Sequence, residues 1–106
     1  MRYITNAFSL AMLQLLPPRV QLGVELIPAT SAAELARDAV SAVGHDLTAK
    51  IFSEILGLPI KADRRSIRLN RGDTTLVGQY SGPRLPEGAT SLPEGAQITW
   101  YEVVVL

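Results

Sequence analysis

The chain has 106 residues, with 10 basic and 10 acidic side chains, one histidine and no cysteine. Its length and its 47% hydrophobic content predict a single globular domain spanning residues 1–106, and not a disordered chain. The formal net charge of zero argues against a protein that coats nucleic acid through many phosphate contacts. Without cysteine there is no disulfide framework, zinc ribbon or thiol nucleophile, and one histidine leaves few ways to build a metal centre.

The N-terminal quarter of the chain predicts two strands around a brief helical segment. Arg2–Phe8 carries β-branched and aromatic residues, and Val20–Ile27 alternates apolar with small or polar residues. Between them, a short helical or irregular piece begins at Ser9 and ends at Leu16, because two prolines follow. Residues 7–16 are too short and too polar for a signal peptide or a membrane span, so we expect a small soluble domain without a membrane partner.

Residues 31–43 predict the first main helix. Ser31 and Glu34 have the spacing of a capping box, in which the hydroxyl and the carboxylate bind free N–H groups of the first turn. The helix is expected to run to about Val43, and Gly44 is expected to end it in the left-handed conformation.

His45 lies at the predicted junction between this helix and a second one. The second helix is expected to begin at His45 or Asp46 and to end at Leu56, before Gly57. Its free N–H groups and its dipole favour an anion at this point. A histidine beside a bound phosphate is stabilised as the imidazolium and can donate a proton to a leaving oxygen. The alternative is a helix cap or a surface histidine without a chemical role.

The second half of the chain predicts three strands. Arg65–Asn70 and Thr74–Tyr80 are expected to form a hairpin around the turn Arg71–Asp73. Gln97–Leu106 is apolar on both faces near its end, which predicts a central strand. Together with the first half, this order predicts an α/β fold: a mixed sheet of about five strands packed against two main helices.

The sequence Leu-Pro-Glu-Gly-Ala occurs twice in a proline- and glycine-rich segment, at Leu85–Ala89 and at Leu92–Ala96. Two copies predict two successive turns of similar shape. Arg84 immediately precedes the first copy, so its guanidinium is expected on a loop of restricted shape, ready to bind a phosphate bidentately. A solvated surface loop is the alternative.

Half of the basic residues lie in one stretch, because Lys61–Arg71 holds five of the ten cations and one of the ten carboxylates. One face of this stretch, at strand spacing, carries Arg64, Ser66, Arg68 and Asn70. This face predicts a compact anion site, and Ser9 is a further candidate for holding a phosphate. The alternatives are a solvated strand with scattered arginines and, for Ser9, an ordinary helix N-cap.

Common catalytic motifs are absent from the sequence. The chain lacks a phosphate-binding P-loop, a dinucleotide-binding glycine motif and a Gly-x-Ser-x-Gly elbow. Its carboxylates are scattered, with no pair marked by spacing. Any chemistry is therefore expected from the histidine, the arginines, hydroxyls and backbone amides.

Three segments of the chain resemble the viral ring nuclease family. They are Asn6–Leu13 (NAFSLAML), Gly44–Ala49 (GHDLTA) and Gly78–Ala89 (GQYSGPRLPEGA), and the resemblance covers nearly the whole chain. The family comprises small proteins of archaeal viruses and bacteriophages that act as type III anti-CRISPR proteins, with relatives in some cellular CRISPR loci.

This resemblance implies a mixed α/β fold and a two-fold homodimer that binds cyclic tetra-adenylate, the second messenger of type III CRISPR defence. The family cuts this ring without metal or cofactor, by attack of a ribose 2′-OH, into linear di-adenylates that end in a 2′,3′-cyclic phosphate. The implied location is the cytoplasm of a prokaryotic cell or of an infected prokaryotic host.

The resemblance also implies roles for individual residues. His45 becomes the general acid, and Glu87 becomes a second catalytic residue that orients His45 or the 2′-OH. The implied substrate-binding residues are Asn6, Ser9, Gly44, Thr48, Arg64, Gln79 and Arg84. One residue is inserted between Gln79 and Arg84 relative to the family, and Ala11 stands where some relatives have asparagine.

Two other functions stay open at the level of sequence. The cationic stretch Lys61–Arg71 fits a non-catalytic viral protein that binds DNA or modulates transcription. A protein that sequesters the cyclic nucleotide without cutting it is a third interpretation, which the presence of His45 disfavours.

Overall fold

Five strands of the described residues, 1–89 and 91–106, form one mixed sheet in the computed structural model. In chain order they are β1 (Arg2–Thr5), β2 (Leu22–Ile27), β3 (Val40–Ser41), β4 (Thr74–Ser81) and β5 (Gln97–Val105). Their order across the sheet is β2-β5-β4-β1-β3. β1 runs parallel to β3 and β4, whereas β5 runs antiparallel to β2 and β4. This mixed five-stranded sheet, together with two α-helices, confirms the predicted α/β fold.

Two α-helices, α1 (Ala29–Ala36) and α2 (Asp46–Leu56), pack on one side of the sheet, which we call the helix face. Phe52 of α2 and Trp100 of β5 meet there, with ring centroids 4.8 Å apart. Both rings lie directly on β4 at Gly78, where a Cβ atom would be 2.5 Å from Phe52 Cζ and 2.6 Å from Trp100 Cζ3. The missing side chain therefore lets the two aromatic rings reach the backbone of the strand.

The opposite side of the sheet, which we call the open face, is covered only in part. Residues 8–20 and 63–70 cross it, and they bury Ile67 and Leu69 against Val105 and other apolar side chains. Beyond this cover the face is bare, because Val24 and Leu26 of β2 are 62% and 66% exposed. The sheet thus has one face covered by two helices and one half-covered face.

The first main helix differs from its prediction at both ends. α1 begins at Ala29, with Pro28 as its N-cap and no side-chain cap hydrogen bond, so the predicted capping box at Ser31 is wrong. The helix ends at Ala36, and the chain then turns to form β3, where the prediction continued the helix to Val43. β3 pairs with the free edge of β1, and this pairing outweighs the local helical pattern.

Gly44 does not end a helix in the left-handed conformation, which is a second correction. It lies beyond β3, it is not among the glycines with positive φ, and its N–H donates to Asn6 Oδ1 at 3.0 Å. The second helix does end before Gly57, as predicted, and this glycine is left-handed. Gly57 has φ 67° and its N–H donates to the Ser53 carbonyl oxygen at 2.9 Å.

Arg65–Asn70 is not a strand, so the predicted hairpin is wrong. Its side chains alternate as expected, with Ile67 and Leu69 buried at 4% and 0% exposure, but the segment forms no ladder with the sheet. The turn that follows is present, because the Asp73 N–H donates to the Asn70 carbonyl oxygen at 3.0 Å. The sheet still has five strands, as predicted, because β3 replaces the predicted strand Arg65–Asn70. The residues of β3 were predicted to be helical.

The remaining elements follow the predictions closely. β5 lies inside the sheet, and a single 3-10 turn, Leu10–Leu13, follows Ser9. The two Leu-Pro-Glu-Gly-Ala copies form matching turns, in which Ala89 and Ala96 donate their N–H groups to the proline carbonyl three residues earlier, both at 3.1 Å. Gly88 and Gly95 have φ of 78° and 82° in these turns. No helix in the described part of the chain is long and apolar enough to span a membrane.

Candidate functional site

The carboxyl ends of three parallel strands meet at one edge of the sheet. β3, β1 and β4 are neighbours and run in the same direction, so the residues that follow them emerge close together. Asn6 follows β1, Gly44 and His45 follow β3, and Arg84 lies in the loop after β4. This edge is the usual place for a ligand in sheets with parallel strands.

A groove of about 520 Å³ at this edge, which we call the His45 groove, contains several of the predicted site residues. Its lining consists of His45, Asp46, Leu47, Thr48, Tyr80, Arg84 and Leu85. Three predicted residues, His45, Thr48 and Arg84, are therefore brought together from two separate parts of the chain. A larger groove of about 650 Å³ lies over β5 near Trp100, but none of its lining side chains titrates.

The first turn of α2 forms part of the lining of the His45 groove. His45 is the N-cap residue, with extended backbone angles of φ −137° and ψ 135°, and its side chain makes no cap hydrogen bond. Its carbonyl oxygen accepts the Ala49 N–H at 3.0 Å, which is the first hydrogen bond of the helix. The N–H groups of the residues before Ala49 therefore have no acceptor within the helix. These amides and the helix dipole favour an anion, although the Asp46 carboxylate in the same turn offsets part of that attraction.

The loop that carries Arg84 is anchored to the end of β4. The hydroxyl of Tyr80 donates a hydrogen bond to the carbonyl oxygen of Pro83, the residue just before Arg84. Arg84 is exposed and lines the groove beside His45 and Thr48. A guanidinium, an imidazole, a hydroxyl and helix amides thus surround one cavity, which is a suitable set of donors for a phosphate group.

A second group of predicted residues adjoins the groove through Gly44. The N–H of Gly44 donates to Asn6 Oδ1 at 3.0 Å, and a Cβ atom at Gly44 would lie 3.8 Å from Arg64 Cγ. Asn6, Gly44 and Arg64 are therefore close neighbours, and His45 is the next residue in the chain. Asn6 uses its side-chain oxygen to hold the β3–α2 connection in place.

Three predicted residues do not join the groove within one copy of the chain. Gln79 points to the open face, where it lines a separate groove of about 230 Å³ with Phe8, Tyr101 and other apolar residues. Ser9 caps the 3-10 turn, because its hydroxyl oxygen accepts the Ala11 N–H at 3.1 Å. Glu87 lies exposed in the first repeated turn and is not part of the groove lining.

The cationic stretch Lys61–Arg71 does not form one patch. Arg65 pairs with the carboxylate of Asp63, and this hydrogen bond holds the pKa of Asp63 below its ordinary value of 3.8. Arg71 lies at a different cavity, beside Arg19. Among the stretch's arginines, Arg64 is the one that approaches the site edge through Gly44. In the described residues, no cluster of three or more His, Asp or Glu side chains could hold a metal ion.

Sequence reasoning missed Tyr80, which lines the groove and holds the Arg84 loop. The signal was the two-residue period of β4. Tyr80 shares a side of the strand with Gly78 and the buried Leu76, whereas Gln79 points the other way. The period was readable, but the identity of the covered face depends on where α2 packs.

Comparisons with known proteins agree with this fold. A solved structure of B116 of Sulfolobus turreted icosahedral virus (STIV) superposes with a TM-score of 0.83 at 24% sequence identity, over 97% of each chain. No curated protein sequence matches the chain. A family model described as STIV B116-like matches residues 2–101, which is almost the entire chain. The chain belongs to the STIV B116-like family.

Proposed function

We propose that this protein is a metal-independent ring nuclease that cleaves cyclic tetra-adenylate and so ends type III CRISPR signalling in a prokaryotic cytoplasm. The observation that carries the proposal is the His45 groove. This cavity lies at the carboxyl ends of parallel strands. It is lined by Arg84, by Thr48 and the rest of the first turn of α2, and by His45, whose side chain makes no cap hydrogen bond. The segments that resemble viral ring nucleases supply the same residues.

The proposed reaction needs alignment and one proton donor. The ribose 2′-oxygen attacks the neighbouring phosphorus and forms a P–O2′ bond, while the P–O5′ bond breaks. His45, as imidazolium, gives its proton to the departing O5′, and the proton of the 2′-OH passes to solvent. A nucleophile next to the phosphate within the ligand makes the step intramolecular, so positioning contributes much of the rate.

Charged and polar donors stabilise the phosphorane-like transition state in this proposal. Arg84 and the first turn of α2 line the groove and would donate to the phosphate, and Arg64 approaches from the Gly44 side. Thr48 adds a hydroxyl from the third position of α2. Glu87, on the turn that follows Arg84, is the proposed partner that orients His45 or the 2′-OH.

A two-fold homodimer is part of the proposal, and the open face supports it. Val24 and Leu26 are both more than half exposed there, next to the apolar groove lined by Phe8 and Tyr101. Contiguous exposed apolar side chains on a small protein mark an association surface. A second copy on this face would give Gln79 a place in the interface, and two His45 groups suit a ring of four equivalent nucleotides.

The test is to incubate the protein with cyclic tetra-adenylate in EDTA and to identify the products by mass spectrometry. We expect linear di-adenylates ending in a 2′,3′-cyclic phosphate. His45→Ala should keep ligand affinity and lose cleavage by about 10²-fold or more, because a general acid contributes that much. Arg71→Ala, at a cavity remote from His45, is the matched control and should cleave like the wild type.

The outcome that defeats the proposal is a ring that survives an excess of protein. If the ring is bound but uncut, the protein is a nucleotide-sequestering module instead. Equal activity of His45→Ala and wild type would leave a nuclease but remove His45 from its role.

Double-stranded DNA is the second candidate ligand, and the covering segment 63–70 favours it. Arg64 and Arg68 are exposed, while Ile67 and Leu69 of the same segment are buried, so the segment presents its cations to solvent. Duplex binding that weakens steeply with salt and is lost in Arg68→Gln/Arg71→Gln, without any ring cleavage, would favour this function.

A further inference from the structure

Tyr80 is held rigidly at the edge of the His45 groove. It belongs to β4 and pairs with Ile98 of β5, so its backbone lies inside the sheet and not in a loop. The ring is half-buried, on the same side of β4 as Gly78, where Phe52 and Trp100 pack. Its hydroxyl donates to the Pro83 carbonyl oxygen, which fixes the far end of the ring.

The lining of the groove has a polar group and an apolar group of side chains. His45, Asp46, Thr48 and Arg84 supply charge and hydrogen bonds, whereas Leu47, Leu85 and the Tyr80 ring supply apolar surface. A phosphate needs only the first group. The second group, with one phenol ring among the seven lining residues, fits a flat aromatic ligand part such as a nucleobase.

We propose that Tyr80 is a specificity-determining residue that stacks on a purine base while Arg84 and the α2 amides hold an adjoining phosphate. This inference rests on the proposed function and deepens it, because it names the part of the ligand that Tyr80 reads. The hydrogen bond to Pro83 connects the two contacts: the ring that stacks also anchors the loop of Arg84. Purines are preferred over pyrimidines because their larger π-surface covers more of the ring.

Two substitutions separate the ring from its hydroxyl. Tyr80→Phe keeps the stacking surface and loses the bond to Pro83, whereas Tyr80→Leu loses both. With cyclic tetra-adenylate, we expect Tyr80→Leu to raise KM about 10-fold, since one base–aromatic stack corresponds to about 5- to 150-fold in affinity. Both variants lose the bond that anchors the Arg84 loop, so kcat should fall by a similar factor in each, whereas KM should rise by no more than about 3-fold in Tyr80→Phe.

A binding measurement on the wild-type protein makes the test independent of cleavage. Adenosine 5′-monophosphate and uridine 5′-monophosphate are titrated against protein with ¹³C-labelled tyrosine rings, and Tyr80→Phe assigns the Tyr80 signals. We expect the adenosine nucleotide to shift the Tyr80 ring signals and to bind more tightly than the uridine nucleotide.

The outcomes divide cleanly between the two proposals. Unshifted Tyr80 signals, equal affinity for both nucleotides, or equal KM increases in the Phe and Leu variants each overturn the role of Tyr80 in stacking. If the wild type binds adenosine nucleotide at Tyr80 but leaves cyclic tetra-adenylate intact, the stacking role stands and the ring nuclease fails. Should Tyr80→Leu not fold, the Phe variant and the nucleotide titration still decide.

Discussion

The two faces of the sheet differ in how they are covered. On the helix face, α1 and α2 close over a dense core in which Phe52 and Trp100 touch the backbone of β4 at Gly78. On the open face, two irregular segments cover the end near Val105 and leave Val24 exposed. Both faces are largely apolar, so composition alone does not distinguish them.

The difference indicates where the fold obtains its stability and, in the proposed homodimer, where it contacts a second copy. Apart from the groove near Trp100, α1 and α2 cover the helix face within one chain, so its packing contributes much of the free energy of unfolding. The bare part of the open face contributes little in one copy, because its apolar area still contacts water. We expect substitutions on the first face to change folding and substitutions on the second to change association.

Gly78→Ala should give the largest effect on stability. The new Cβ would lie within 2.6 Å of ring atoms of both Phe52 and Trp100, so two buried rings must shift. We expect a loss of about 3 kcal/mol in the free energy of unfolding, measured by chemical denaturation.

The matched control is Gly23→Ala, in the edge strand β2. There the new Cβ would meet only the Leu106 side chain, at 3.8 Å. We expect an unchanged protein or a gain of up to about 1 kcal/mol, because alanine restricts the unfolded chain. Equal losses in both variants would mean that the helix face is no more tightly packed than the sheet edge.

Val24→Lys tests the open face. In the proposed homodimer this cation enters an apolar interface, and we expect dimer association to weaken by about 2 kcal/mol or more. Analytical ultracentrifugation should show a shift from dimer to monomer, while the stability of the fold changes by less than about 1 kcal/mol.

Glu25→Lys is the control for this variant. It places the same cation on the neighbouring residue of β2, which points to the other side of the strand. The control should stay dimeric. A wild-type protein that is monomeric at all concentrations would contradict the proposed use of the open face.

How far the sequence predicts this fold depends on which signals are local. α2, its end before Gly57 and the two repeated turns were correctly predicted because helix-breaking and turn residues act within a few positions of the chain. β3 was missed because residues 40–43, Val-Ser-Ala-Val, are too few to distinguish a helix from a strand. Pairing with the edge of β1 decides between them, and that edge is distant in sequence.

The candidate site shows the same division. His45 at a helix start was predictable, and so was the proline-restricted loop of Arg84, since both depend on neighbouring residues. The face on which Gln79 lies was not predictable, because the two-residue period of β4 does not indicate which side of the strand α2 covers. The groove was not predictable either, because it depends on the strand order, which brings the end of β3 beside the ends of β1 and β4.

Thr75→Val probes the covered end of the open face. Thr75 is fully buried, and its hydroxyl has no hydrogen-bond partner among the described residues. Valine has nearly the same shape and carries no group that needs a partner, so we expect a gain of about 1 kcal/mol in the free energy of unfolding. Thr74→Val, at a half-buried neighbour, should change it by less than about 0.5 kcal/mol. A loss in the Thr75 variant would show that its hydroxyl is satisfied in solution.

The smallest effect concerns the charges of the segment that covers the open face. Arg65 donates to the Asp63 carboxylate, which lowers the pKa of Asp63 below 3.8, and the pair is exposed. Because the pKa of Asp63 is lower in the folded state, the pair stabilises the fold at pH values above 3.8. This contribution is lost as the pH falls through the lowered pKa. Arg65→Gln should therefore raise the pKa of Asp63 toward 3.8 in a carboxyl NMR titration, with almost no change in the unfolding midpoint at neutral pH. A large loss of stability in Arg65→Gln would mean that ion pairing, and not the burial of Ile67 and Leu69, holds the segment on the open face.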